Sequence, residues 1–184
     1  RARNMIDPMQ SLTDEHERIR AMLISFETEL DHFEQAQKPD YDVLQGSIAY
    51  CQEFLDNWHH PREDALVALL KRRAPKDTMT CEELEMQHSK LAQSAAKLVR
   101  IFEAVEHDAH FLRENLVRQG RSLLRDYRWH LDWEEANFFP VLTSNLLPED
   151  FQQIAARFAD TADPLAKNPV DQRYRALLGA VGDI

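Results

Sequence analysis

Glycine is scarce in this chain, with four in 184 residues, beside abundant Leu, Ala, Glu, Gln and Arg. That composition leaves few sites for tight turns and bulges and favours helix over sheet. Cysteine is nearly missing too. Cys51 and Cys81 form no CxxC motif and no disulfide framework. Cys81 falls on an apolar stripe and is expected to be a buried thiol. No apolar run approaches the roughly 20 residues that cross a bilayer, and no signal-peptide pattern opens the sequence. A soluble, cytoplasmic protein with no membrane partner is therefore expected. Positive charge is in short supply: 22 Lys and Arg face 32 Asp and Glu, for a net charge of -10. With a pI near 5.2, nucleic acid is excluded as the main partner.

What is present is a repeat. Trp58 to Ala65 and Trp129 to Ala136 both read W-H-x-x-x-E-[DE]-A. Each copy sets a histidine and a glutamate one helical turn apart on one face. A lone histidine precedes each: His16 lies 43 residues before His59, and His88 lies 42 before His130.

Apolar periodicity places these motifs on helices. Met9, Leu12, His16, Ile19, Leu23, Phe26, Leu30 and Phe33 alternate threes and fours, as do Cys81, Leu84, His88, Leu91, Ala95, Leu98, Phe102 and Val105. Two further seams run Leu44, Ile48, Cys51, Leu55, His59, Glu63, Leu66, Leu70 and Leu116, Leu123, Tyr127, His130, Glu134, Phe138, Val141, the last irregular at its start. Seams of this kind pack helix on helix at shallow angles. Breaks fall at Lys38-Pro39-Asp40, at Ala74 to Thr78, around Glu106 to His110, and at Ser144 to Pro148. Thr78 and Thr80 are both available to cap the third helix, and Thr80 to Glu83 has capping-box spacing. A shorter helix opens at Leu147-Pro148-Glu149-Asp150. Pro164 and Pro169 bound a linker before a last helical stretch near Val170 to Val181.

The expected fold is all-α: an up-down-up-down four-helix bundle over residues 9–145, with short C-terminal helices over 146–184 packed on it. Antiparallel neighbours bring the start of one helix beside the end of the next. His16, His59, Glu63, His88, His130 and Glu134 then meet at one level of the core.

Charged carboxylates in a packed core cost several kcal/mol unless paired or ligating. No Lys or Arg occupies the seams at that level, so two cations are the expected counter-charge. Imidazole and carboxylate without thiolate suit Fe, Mn or Zn.

The pattern H…HxxxE…H…HxxxE resembles that of the bacterial hemerythrin-like, or HHE cation-binding, domains over roughly residues 9 to 160. Glu15-His16-Glu17-Arg18-Ile19, His59-His60-Pro61-Arg62-Glu63-Asp64 and Glu134-Glu135-Ala136-Asn137-Phe138-Phe139-Pro140 share the resemblance. It implies two non-haem iron ions, replaceable by Mn or Zn, with an oxo or hydroxo bridge. Glu63 and Glu134 would span them, with two histidines on each iron. It further implies a small diatomic partner, O2 or NO, in storage, sensing or defence, with no dedicated catalytic residue. The five-histidine set of invertebrate oxygen carriers is not matched, because Leu84 and Ala92 stand four residues either side of His88. A di-iron oxidase or peroxidase is the alternative, for which Glu29-x-x-His32 and Glu85-x-x-His88 have the spacing. A metal-free helical interaction module is the third reading.

Neighbouring residues carry paired readings. Asp64 and Glu135 either orient an imidazole from behind or are solvated acids. Tyr127 either aims its hydroxyl at the metals or packs. His60 either supplies a fifth imidazole or, rotated about 100° from His59, faces away. Pro61 either kinks the helix to aim His59 and Glu63 or bends a surface turn. Trp58, Trp129 and Trp133 are expected as core or interface mass, and His32, His107 and His110 as surface residues. Leu12, Ile19, Leu55, Leu66, Leu91 and Phe138 are expected to wall the site. The tail from Leu165 to Ile184 either caps the bundle or meets a second copy of the chain or another protein.

Overall fold

The computed structural model describes residues 8–105, 109–159, 163–167 and 170–182. It is all-α, a helical bundle with no strand among the described residues. Helix α1 spans Pro8–Glu34, and Asp40 caps α2 (Tyr41–Tyr50) by accepting the N–H groups of Asp42 and Val43. A π-helical stretch, Cys51–His59, joins α2 without a break to α3 (His60–Arg73). Helix α4 follows over Thr78–Val105. The last long rod is α5 (Ala109–Trp133), a second π stretch (Glu134–Phe138) and α6 (Phe139–Asn145). Two shorter helices follow, α7 (Pro148–Arg157) and α8 (Arg175–Val181). No helix among the described residues is long and apolar enough to cross a membrane.

Cross-helix pairs give the sense of the neighbours. Arg20 meets Asp132 and Glu135, Glu27 meets Arg128 and Arg121, and Asp31 also meets Arg121, so α5 descends as α1 climbs. Asp64 with His88 and Lys71 with Glu85 oppose α3 and α4; Gln87 with His130 and Lys90 with Asp126 oppose α4 and α5.

The core falls into two apolar clusters. One holds Ile19, Leu23, Leu55, Leu91, Leu98 and Leu131, and the other Leu12, Leu66, Leu84, Phe138, Leu142 and Ile154. Along every rod the sequence passes from one cluster, through a histidine, into the other. A polar belt is thus enclosed by oil on both sides, and all six expected wall residues are buried there. The irregular start of the fourth seam has a steric cause. Its vacant slot is Gly120, where a Cβ would meet Leu30 Cδ1 at 2.6 Å. Helix α7 adds Phe151 and Ile154 to one cluster, and the last stretch sends Leu165, Tyr174 and Leu177 into the other.

Several expectations change. Helix α4 begins at Thr78, so Thr80 sits inside its first turn instead of capping it. Trp58 and Trp129 are 45% and 53% exposed, and only Trp133 of the three tryptophans packs against the core. The turn at 106–108 and Pro169 lie outside the described residues, as do His107 and the side chain of His110.

Candidate metal centre

His16 comes from α1, His59 and Glu63 from the end of the first π stretch and α3, His88 from α4, and His130 and Glu134 from α5 and the second π stretch. All six are buried. His16 Nε2 lies 3.8 Å from Glu63 Oε1 and 3.3 Å from Glu134 Oε2. His59 Nε2 is 3.5 Å from Glu63 Oε1. His88 Nε2 stands 3.4 Å from Glu63 Oε2 and 3.5 Å from Glu134 Oε1, and His130 Nε2 is 3.4 Å from Glu134 Oε1.

Each inward histidine is held from behind. The Nδ1 of His16 meets Glu135, that of His59 meets Glu15, that of His88 meets Asp64 and that of His130 meets Gln87 Oε1, all at 2.9 Å. Carboxylates only accept, so each of those Nδ1 atoms donates. Gln87 spends its amide N–H on Glu83, which turns its oxygen to His130. The inward nitrogen is therefore always Nε2. Asp64 and Glu135 each stand within hydrogen-bond distance of an inward histidine while remaining partly open to solvent. Glu15 and Gln87 were missed, although each immediately precedes a lone histidine, a signal as regular as the HxxxE copies themselves.

Four Nε2 atoms and all four oxygens of Glu63 and Glu134 are buried without a hydrogen bond. Burial would push both glutamates up, but the histidines around them hold both carboxyls well below the usual range. Burial works against charge on His16 as well, yet Glu134 and Glu63 lift it to about 10. Burial pushes His130 down to about 3. Eight orphaned polar atoms in an apolar interior are costly unless a cation gathers them. Two sets can do so: His16, His59, Glu63 and Glu134, and His88, His130, Glu63 and Glu134, with one atom from each residue within 4.8 Å of the others.

The family model of the hemerythrin HHE cation binding domain matches residues 7–142. The chain belongs to the hemerythrin HHE family. No curated protein and no solved structure gives a significant match. The hemerythrin HHE domain is a cation-binding one, and the donor set of the belt fits a cation.

Other candidates in this HHE domain fall outside the belt. Glu29 accepts from the Asp40 N–H at 2.7 Å and pairs with His32 at 3.0 Å, while Glu85 pairs with Lys71 at the surface. The two ExxH spacings therefore have structural uses. Tyr127 is buried, its hydroxyl makes no hydrogen bond, and burial beside Cys51 and Asp56 holds it protonated well beyond the usual range. His60, by contrast, reaches the belt. It is 4% exposed, and its ring stacks on His88 at 4.3 Å and 17°. The cause is the π stretch, whose wider turn brings two successive residues, His59 and His60, onto the inner side. The irregularity lies just before Pro61: the His60 N–H reaches back five residues to the Leu55 carbonyl. The second π stretch behaves likewise before Pro140, with the Phe139 N–H on the Glu134 carbonyl.

One small cavity reaches the belt. Glu15, Phe54, Trp58, His59, Arg62 and Asp163 line it. Asp163 is held there by Arg18 Nε at 2.6 Å and the Tyr50 hydroxyl at 3.0 Å.

Proposed function

We propose that the belt holds two iron ions and that the centre binds, or reacts with, dioxygen or a related small diatomic such as NO. One ion takes His16 and His59, the other His88 and His130, and Glu63 and Glu134 reach both. The observation that carries this reading is the division of the carboxylates. Glu63 turns Oε1 to His16 and His59 and Oε2 to His88, whereas Glu134 turns Oε2 to His16 and Oε1 to His88 and His130. A carboxylate facing two imidazole groups with separate oxygens suits a bridge between two cations.

Iron would supply the redox-active, ligand-binding chemistry. The chain supplies neutral imidazoles fixed in one tautomer by Glu15, Asp64, Gln87 and Glu135, and two apolar clusters that keep bulk water away. A role in storage, sensing or defence in the cytoplasm follows from that reading, and the two buried cysteines, neither in a disulfide, suit such a compartment. The engagement of Glu29 and Glu85 elsewhere places an oxidase of the ferritin type second.

The test is metal analysis of protein from iron-supplemented cells, with optical spectra in air, after reduction, and after adding O2 or NO. Two irons per chain, bands of an oxo- or hydroxo-bridged ferric pair, and spectral change on adding the gas are expected. Purification without any bound metal, or iron content unaltered in both His59→Ala and Glu134→Ala, would remove the assignment. Rapid catalytic consumption of peroxide would move the reading to the enzyme.

A further inference from the structure

Tyr50, Phe54 and His59 form a line of rings. The centroids of Tyr50 and Phe54 are 5.1 Å apart and those of Phe54 and His59 6.2 Å, both within the range of aromatic contact. A regular α-helix would not allow it. At about 100° per residue, the nine steps from Tyr50 to His59 would end on the opposite face. The π stretch Cys51–His59 removes that obstacle, because its turns close on the fifth residue, and Phe54 and His59 are five apart. On the far side Tyr174 meets Tyr50 edge-on at 6.4 Å. The line thus runs from an inward imidazole of the belt to Tyr174, whose hydroxyl donates to Glu53 at 2.8 Å. Glu53 in turn lines an open surface groove with Gln45 and Arg173.

Each of the two tyrosines has somewhere to send a proton. The Tyr50 hydroxyl donates to the buried Asp163 at 3.0 Å, and that of Tyr174 to Glu53. A phenol yields an electron most readily when its proton leaves with it, and a carboxylate at hydrogen-bond distance is an acceptor for that proton. Tyr127 is the contrast. Its ring lies 6.3 Å from His60, yet its hydroxyl makes no hydrogen bond, so its proton would have nowhere to go.

We propose that Tyr50 and Tyr174 form an electron relay into the centre from the surface groove, with Phe54 as the bridge. This rests on the iron reading above, with peroxide as the oxidant of the centre. Tyr50 gives one electron to the oxidised centre and its phenolic proton to Asp163, which leaves a neutral phenoxyl radical. Tyr174 then gives one electron to Tyr50 and its own proton to Glu53, while Asp163 returns the first proton to Tyr50. A small one-electron reductant in the groove, such as ascorbate, gives one electron to Tyr174, and Glu53 returns the second proton. The reductant ends one electron poorer and the centre one electron richer, with both acids as they began.

The test loads the full chain with ferrous iron, mixes it with hydrogen peroxide, freezes it and records radicals by EPR. Ring-deuterated tyrosine identifies the signal. Wild type should give a tyrosyl radical that ascorbate quenches. In Tyr174→Phe that radical should persist in ascorbate, since Tyr50 has lost its outward partner. In Tyr50→Phe it should vanish, with iron content and the optical change of iron oxidation retained. If Tyr50→Phe does not fold, Phe54→Leu interrupts the same line and should also abolish the signal. Iron oxidised without a tyrosyl radical in the wild type would overturn the inference, as would a radical undiminished in Tyr50→Phe or Phe54→Leu. So would equal quenching in Tyr174→Phe, or a tryptophanyl signal lost in Trp58→Phe, whose indole lines the small cavity with Phe54 and His59. A chain that takes up no iron would instead remove the two-iron reading on which the relay rests.

Discussion

Glu15 stands directly behind His59, its carboxylate 2.9 Å from Nδ1, and Arg62 grips both of its oxygens from the other side. Although Glu15 is buried, the attraction of His59 and Arg62 outweighs that burial and brings its carboxyl down to about 2. The pair joins α1 to the rod that carries His59 and Glu63.

Glu15→Gln keeps the shape and removes the negative charge behind His59. Iron affinity should fall by about 10- to 100-fold, with the fold retained by circular dichroism. Affinity within twofold of wild type in a competitive chelator titration would show that His59 needs no such support.

Removing metal should lower the melting temperature and make it depend on free metal concentration. A ligand at 100 times its dissociation constant adds about 2.7 kcal/mol, and six buried residues rely on it. Thermal unfolding with and without a chelator measures the shift. Equal melting curves would mean that the belt is satisfied without cations.

Asp150 offers a pH effect well away from the belt. It accepts the Leu147 N–H at 2.9 Å and pairs with Arg73 at 2.8 Å, and Arg73 foremost holds its carboxyl below the usual range. A carboxyl lowered on folding stabilises above its ordinary pKa and ceases to do so as pH falls through the folded value. Asp150→Ala should cost about 0.5–2 kcal/mol at pH 7, and that difference should shrink as pH drops below about 4. Urea unfolding at the two pH values checks the sign. A difference that grew in acid would contradict it.

Tyr127→Phe deletes a buried hydroxyl that makes no hydrogen bond. Loss of an unsatisfied polar group should be neutral or stabilising by up to about 1 kcal/mol, with metal content unchanged. A drop in iron content would instead connect the hydroxyl to the centre.

Asp163→Ala leaves Arg18 and the Tyr50 hydroxyl without their shared partner. A cost of about 1–3 kcal/mol is expected, together with faster amide exchange in residues 163–182. Exchange rates equal to wild type would show that this clasp holds nothing.

Much of this was legible in the sequence because helical periodicity and metal-ligand spacing use the same ruler. The seams gave all four rods, and their interrupted slots gave His16, His59, Glu63, His88, His130 and Glu134. For His60 the spacing leaves two directions open, since a regular α-helix turns it about 100° from His59, and the π-helical turn brings it inward. The clue was present: Leu55, His59 and Glu63, and again His130, Glu134 and Phe138, advance by fours with no intervening three. Of the core and interface roles expected for Trp58 and Trp129, the core one fails, because each precedes its inward histidine by one residue and so faces outward. Contacts such as Tyr50 with Asp163, 113 residues apart, have no local signature, and no spacing rule reaches them.

The position of Asp163 has a further consequence. The matched span ends at residue 142, yet the small cavity beside His59 includes an aspartate from beyond it. Part of the lining of that cavity therefore varies independently of the matched domain, because it belongs to the tail. Truncation at the end of that span would open one wall of the cavity and strip Arg18 and Tyr50 of the acid they share.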